Sequence, residues 1–376
     1  MIRPPLPSLG ARFSGLHWPL IGLIVLMGLV GYGVLYSAAG GSNDPWAWRH
    51  AMRLGVGVVI MLMIAVTDIR WLFNLAFPFY AIVLALLLGV DVMGEISKGA
   101  QRWIDLGIIQ IQPSELMKLA LIMALARWFH GRRIEDVRRP LVLIAPLLMI
   151  AAPVVLVLLQ PDLGTAAMLA GAGTALLFLA GVPIWQFLLV GAAGAAALPI
   201  LWSRLHDYQR QRVLTFLNPE EDPLGTGYHI IQSKIALGSG GFWGKGYLNG
   251  SQAQLNFLPE KQTDFAFTMM GEEVGFVGCV VVLSLFLLML FLTLRIAIRS
   301  QSQFGRLVAM GMGCNLALYV SINVAMVTGL VPVVGIPLPM VSYGGTAMLT
   351  VLMGFGLTLA VDAQRETIIP RFPGHL

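Results

Sequence analysis

Long apolar runs separated by short polar ones dominate the sequence. Apolar stretches of about 17–25 residues, the length that crosses a bilayer as a helix, recur at 16–36, 49–66, 71–90, 113–129, 141–159, 163–180, 184–202, 264–294, 305–330 and 341–360. The pattern predicts an all-α polytopic membrane protein of about ten transmembrane helices. Residues 1–376 form a single integral membrane domain in this reading, and 203–263 form a long extracytoplasmic loop between helices 7 and 8. Arg3 and Arg12 precede the first stretch as in a signal peptide, but 16–36 is too long for a cleaved apolar core and reads as a retained first helix. Small residues at helical spacing, such as Gly271 with Gly275 and Gly191 with Ala195, allow close helix packing where lipid supplies no drive for apolar association.

The basic residues set the orientation. Arg127, Arg132, Arg133, Arg138 and Arg139 share one inter-helix segment, and Arg295, Arg299 and Arg306 share the next one on the same side. Both termini are basic too, so both termini and these two loops are expected in the cytoplasm. The other side holds the irregular material: a loop over 91–112, a tight turn at 160–162, the segment 203–263, and a charge-free Gly/Pro-rich connection at 329–340. All five lysines (Lys98, Lys118, Lys234, Lys245 and Lys261) lie on or near that outer side, which calls for an anionic ligand there. No internal repeat or matched pair of broken helices is evident, which argues against a transporter.

Composition agrees. Charged residues make up 11% of the chain and hydrophobic ones 57%, with mean hydropathy +0.80, against about 25% charged residues in a soluble domain. Net charge is +5, but no basic face separates from the membrane loops, so nucleic acid is excluded as a partner. Cys279 and Cys314 fall inside apolar runs and supply neither a disulfide framework nor a metal cluster.

A few polar groups interrupt the apolar pattern at places that carry chemistry. In 112–118 (QPSELMK), Pro113 and Glu115 suit a first helical turn. Lys118 does not, because a lysine inside the membrane is costly unless paired or hydrated. Glu115 and Lys118 are three apart and share a face, either as a self-satisfied pair or as the lining of a polar cavity. In 160–165 (QPDLGT), Asp162 fits equally a helix N-cap and a ligand contact. Arg49 and Arg53 open a helix on one face and oppose its dipole, which favours a paired or ligand-facing role over snorkelling to lipid phosphate. The glycines of 238–241, with Lys245 close behind, lack phosphate-loop spacing and read as a flexible loop. Asp264 sits at the head of the eighth helix, where Thr263 is expected to cap. A base must be ionised and within reach of its proton, and that place keeps a carboxylate ionised. No second carboxylate within the motif stands as its acid partner: Glu260 precedes it in the loop, and Glu272 and Glu273 lie two turns deeper.

The runs QPSELMK, QPDLGT, HDYQRQRV, GYHIIQSKIALGSGG, FLPEKQTDFAF with GEEVGFVG, and VPVVGIPLPMVSYGG together resemble the SEDS family. They follow the family's order and spacing from the second helix to the last, and HDYQRQR and QSKIALGSGG favour its elongation branch over its division branch. The resemblance implies a peptidoglycan glycosyltransferase of the inner membrane with its active site on the outer side. It would move a lipid-linked glycan onto the GlcNAc 4-hydroxyl of lipid II with inversion, releasing polyprenyl pyrophosphate, in cell elongation and shape maintenance. It implies Asp264 as the catalytic residue and a cavity holding Glu115, Lys118 and Asp162. Arg49, Lys98 and Arg102 are then candidate pyrophosphate or sugar contacts, and Arg210, Lys245 and Lys261 are further basic candidates in the outer loop. Ala266 departs from the isoleucine usual in the family's TDFIF run and leaves the acid itself undisturbed. No general acid is required, because pyrophosphate leaves readily once neutralised by protein cations or by a divalent cation, Mg or Mn. No other cofactor is expected. Implied partners are lipid II, polyprenyl-linked glycan, a class B penicillin-binding transpeptidase and other membrane proteins of the elongation complex. Two readings compete with the enzyme. A lipid II flippase would suit a polar cavity, but the polar motifs concentrate on one side. An inactive scaffold leaves the embedded ionisable residues unexplained.

Overall fold

The computed structural model describes residues 9–93, 95–97, 100–105, 110–204, 210, 226–255, 257–258 and 260–370. A short helix α1 (Leu9–Ser14) leads into α2 (Trp18–Ala38), α3 (Ala47–Ala65) and α4 (Ile69–Met93). Strands β1 (Glu95–Ser97), β2 (Ala100–Asp105) and β3 (Gln110–Ile111) follow, then α5 (Pro113–His130) and α6 (Ile134–Val137). A 3-10 turn at Pro140–Leu143 opens into α7 (Ile144–Leu159), followed by α8 (Leu163–Leu179) and α9 (Ile184–Arg204). The later part comprises α10 (Thr226–Ser239), α11 (Ser251–Gln254), α12 (Ala266–Arg299), α13 (Gln303–Val327) and α14 (Gly345–Ala363). Each predicted span has its helix, with ends shifted by a few residues, and the chain is a multi-pass membrane protein.

Seven of these segments are long and apolar enough to cross a bilayer by length and composition: α2, α3, α4, the 3-10 turn with α7, α12, α13 and α14. Helices α8 and α9 contribute shorter apolar stretches. The tenth, α5, carries Glu115, Lys118 and Arg127 and tolerates them because it has almost no lipid face. It is ringed by α4, α7, α8, α13 and α14, and 15 of its 18 residues are buried. The outward residues of the surrounding helices are apolar, for example Val59, Ile82, Leu148, Leu188 and Leu287, all more than half exposed. That surface suits lipid and would be an aggregation hazard in water.

The loop expected over 91–112 is not irregular. Helix α4 runs on to Met93, and β1, β2 and β3 pair antiparallel in that order, with Glu95 opposite Trp103 and Ile104 opposite Ile111. This small sheet packs against α4 and α5 near the N-terminal end of α5. The segment 203–263 is likewise partly helical, through α10 and α11.

The glycine run expected to be a flexible loop is in part helical, with Gly238 inside α10, and it leads into a turn over 241–246 that fills a break in α12. Helix α12 is interrupted at Gly275 (φ 69°, ψ −168°), where the i→i−4 bonds of Phe276 to Glu272 and Val277 to Glu273 would otherwise fall. The 241–246 turn satisfies all four groups. The amides of Lys245 and Gly246 donate to the Glu272 and Glu273 carbonyls at 3.0 Å each, and the amides of Phe276 and Val277 donate to the Gly241 and Phe242 carbonyls at 3.0 and 3.2 Å. Unsatisfied backbone groups inside a membrane are too costly to leave, so the break exists only because the turn fills it. The approach is so close that a Cβ on Gly244 would lie 2.1 Å from the Glu273 carbonyl oxygen, and one on Gly275 would lie 2.3 Å from the Gly244 nitrogen. Side chains close the joint: Lys245 Nζ meets Glu272 Oε1 at 2.7 Å, and Ser37 of α2 donates to Glu273.

Gly244→Ala and Gly275→Ala should each destabilise the protein by on the order of 3 kcal/mol, from strain at positive φ together with the backbone clash. Thermal unfolding in detergent checks this, and wild-type midpoints for both would show that the joint is loose.

Candidate active site

Four helix N-termini converge at one end of the bundle. Gln112 precedes α5, Asp162 caps α8, Phe265 precedes α12 and Gly344 precedes α14. Between them lies a cavity of about 370 Å³ whose lining includes Glu115, Lys118, Asp162, Asp264, Tyr319 and Tyr343, within the size range of small-molecule sites. Trp103 and Gln110 of the small sheet also line it. The aligned N-termini present partial positive charge.

Lys118 is 1% exposed and bonds Glu115 Oε1 at 2.6 Å, with the Tyr319 hydroxyl touching both partners. The sequence left a self-satisfied pair and a cavity lining as alternatives, and the structure unites them. Asp162 is the N-cap of α8. Its Oδ1 accepts from the Thr165 amide at 3.0 Å, and its Oδ2 accepts from the Thr165 hydroxyl at 3.0 Å and from Gln112 at 3.4 Å. The same residue faces the cavity.

Asp264 lies in a turn, two residues before α12 begins. Thr263 does not cap that helix. Its hydroxyl donates to the Glu260 carboxylate at 3.0 Å and to the Glu260 carbonyl at 3.3 Å, because Glu260 turns back with φ 50°. Opposite Asp264 stands Gly335 (φ 69°), where a Cβ would sit 3.6 Å from Asp264 Oδ2. His229 lies parallel to Phe265 at 6.1 Å. Burial holds its imidazole below the ordinary value while the Glu260 charge opposes this.

Residues 11–367 match the family described as Cell cycle protein, which groups FtsW, RodA and SpoVE. The chain belongs to the SEDS family. It is 45% identical to the peptidoglycan glycosyltransferase MrdB of Escherichia coli K12, over 92% of this chain and 94% of that one. Its fold is similar to a chain solved in a study of structural coordination of polymerization and crosslinking by a peptidoglycan synthase complex. The TM-score there is 0.81 at 35% identity, covering 93% of this chain and 98% of that one. It is also similar to the rod shape determining protein RodA of Thermus thermophilus, with TM-score 0.71 at 31% identity over 94% and 98% of the two chains.

The SEDS architecture brings only some of the expected site residues together. Glu115, Lys118, Asp162 and Asp264 share the cavity. Arg49 is exposed and is not among the lining residues. Lys245 is taken up by Glu272, and the Arg210 guanidinium donates to the Ser203 carbonyl at 3.0 Å. Lys261 stands outside the lining, and burial pushes its ammonium below the ordinary value. Arg102 belongs to β2, its side chain outside the description, and Lys98 lies outside the described residues, as does the HDYQRQRV run apart from Arg210. Among the described residues the lining therefore holds three carboxylates and one ammonium, and the helix N-termini supply the remaining positive potential. Arg53 stands behind the wall, its guanidinium 4.8 Å from the centre of the Tyr343 ring.

Sequence reasoning passed over Tyr319, Asn323, Tyr343 and Trp103. A signal for two of them was present: Asn315, Tyr319 and Asn323 recur at four-residue steps within an apolar run, so they share one helical face.

Removing one member of a buried ion pair leaves the other uncompensated, at about 3–5 kcal/mol. Lys118→Met or Glu115→Gln alone should lower the unfolding midpoint in detergent, while Lys118→Met with Glu115→Leu should recover most of the loss. Single variants as stable as the wild type would show that the pair is hydrated.

Proposed function

We propose that this SEDS protein, a membrane-embedded peptidoglycan glycosyltransferase, uses Asp264 as the general base that activates the acceptor sugar. The acceptor is the GlcNAc 4-hydroxyl of lipid II, and the donor is the lipid-linked growing chain. Asp264 takes the hydroxyl proton as the oxygen attacks C1 of the donor. The new C1–O bond forms while the bond from C1 to pyrophosphate breaks, and polyprenyl pyrophosphate departs with the electron pair. A single displacement inverts C1, so base and leaving group stand on opposite faces of the sugar, as in inverting glycosidases.

The observation that carries this reading is the cavity itself, which joins an acid held at its rim to four helix N-termini around it. N-termini aimed at a departing anion lower its energy without reorganising. An outer placement of the site, with both termini in the cytoplasm, is supported by the arginines that cluster after α5 and at the facing ends of α12 and α13. The enzyme then works on the outer face of the inner membrane during elongation. A class B penicillin-binding transpeptidase and other elongation proteins are its partners in this reading.

A divalent cation, Mg or Mn, is the proposed aid to departure. Among the described residues no group of three or more His, Cys, Asp and Glu could hold a metal ion. Mg ordinarily binds one or two carboxylates together with substrate phosphates, and Asp162 is the lining carboxylate suited to that share. Bound there, the cation would neutralise pyrophosphate.

Purified Asp264→Asn in nanodiscs should bind lipid II and form no glycan, as followed by gel analysis of labelled polymer. Wild-type-like polymer from that variant would sink the base assignment. In the same assay, EDTA should slow the wild type and Mg should restore it; a rate indifferent to chelation would leave neutralisation to the protein alone.

A further inference from the structure

Helix α13 offers the cavity region two different services from one face. Asn315, Tyr319 and Asn323 are 3%, 0% and 0% exposed, and Tyr319 engages the Lys118–Glu115 pair. Asn323 stands one turn further on, about 6 Å along the axis. It does not line the cavity. Its side-chain nitrogen donates to the Asp264 carbonyl at 3.0 Å and to the Ile336 carbonyl at 2.7 Å.

Those two carbonyls belong to the two segments that face each other across the mouth. One is the turn bearing Asp264. The other is the charge-free connection that carries Gly335 against the Asp264 carboxylate. Neither carbonyl lies in a helix or strand, so no ladder fixes its position. Among the described residues, one further main-chain bond holds the turn nearby, from the Tyr343 amide just beyond that connection to the Gln262 carbonyl at 2.7 Å. One buried amide group thus ties both sides of the mouth to the helix that also holds the cation pair.

We propose that Asn323 is a positioning residue for glycosyl transfer, setting the height of Asp264 above the Lys118–Glu115–Tyr319 group and its distance from Gly335. The inference rests on Asp264 being the base. A displacement of about 1 Å in reacting geometry is enough to cost roughly a hundredfold in rate, and this amide opposes such a displacement in two directions. Asn323 contributes to turnover and leaves substrate affinity alone, because it touches the turn and not the cavity.

The test uses the full chain in nanodiscs with lipid II, comparing Asn323→Asp, Asn323→Leu and Asn323→Gln. The aspartate is isosteric and loses the donors, the leucine removes polarity at similar volume, and the glutamine restores donors on a longer arm. Asp and Leu variants should lose about 30–100-fold in kcat with KM within about threefold, and Gln should regain about tenfold. Unfolding midpoints measured alongside identify any variant that fails to fold, and the remaining variants then decide. Turnover of the Asp or Leu variant within about threefold of the wild type would overturn the proposal. So would a joint loss of kcat, affinity and midpoint that Gln does not rescue, which marks a structural role only. Asp264→Asn run in parallel separates the two readings: polymer from it overturns the base assignment and this inference together, whereas an inactive Asp264→Asn beside a fully active Asn323→Asp overturns this inference alone.

Discussion

An ammonium in the middle of a helical bundle must have an anion against it, and that constraint on Lys118 shapes the centre of this protein. Glu115 comes from the same helix one turn away, so the pair forms locally, but its third member, Tyr319, arrives from α13. The pair can be so deeply buried only because α4, α7, α8, α13 and α14 surround α5. A helix that carries three charges and yet spans the bundle therefore dictates the packing order around it. Once α5 is central, its N-terminus and those of α8, α12 and α14 meet at one end, and the cavity is where they meet.

The second constraint is backbone satisfaction in α12. Its break at Gly275 frees main-chain groups that lipid cannot serve, and the 241–246 turn serves them. Because the two backbones touch, every position at the joint needs a residue without a Cβ or with one pointing away. The joint also fixes the run of chain between the turn and Asp264, through α11, the Lys245–Glu272 pair, and the Gln252 amide on the Glu272 carboxylate at 3.0 Å. The loop that carries the proposed base is thereby anchored at both ends before its own contacts with Asn323 and Tyr343 are counted.

Much of the fold was legible in the sequence because a bilayer leaves few options: a run such as 163–180 has to be a helix, and Leu163–Leu179 is one. Asp264, Glu115, Lys118 and Asp162 were legible as embedded charges that demand a reason. The partner of Lys245 was not. A lysine in a connecting segment can serve a ligand or a buried carboxylate equally well, and Lys245 turned to Glu272, 27 residues away, a pairing no local pattern announces. The glycines of 238–241 read as a flexible loop for a related reason: backbone contact, such as that of the Gly241 carbonyl with the Phe276 amide, leaves no chemical trace except the absence of a side chain, which flexibility also produces. Thr263 looked like a cap because its type and place were right, but Glu260 doubled back and took the hydroxyl first. Tyr319 and Asn323 carried a readable period and were missed because each alone resembles an ordinary interfacial residue.

The proposed chemistry asks one place to favour two anions, the ionised base and the departing pyrophosphate. Positive potential from helix N-termini helps both, but it does not say which oxygen attacks. Like charges close together would disfavour each other's ionised form, so a site that merely pooled positive charge would hold the leaving group and spoil the base. Inversion resolves the conflict geometrically, since it requires the two anions to stand on opposite faces of the sugar ring. The lining is consistent with that division. Asp264 and Gly335 face each other at the mouth, while Lys118 of α5, with its charge already shared between Glu115 and Tyr319, meets α13 about one helical turn from Asn323. Holding that separation constant matters more than adding cations, and it explains why a cavity serving an anionic substrate can be lined by more carboxylates than ammoniums.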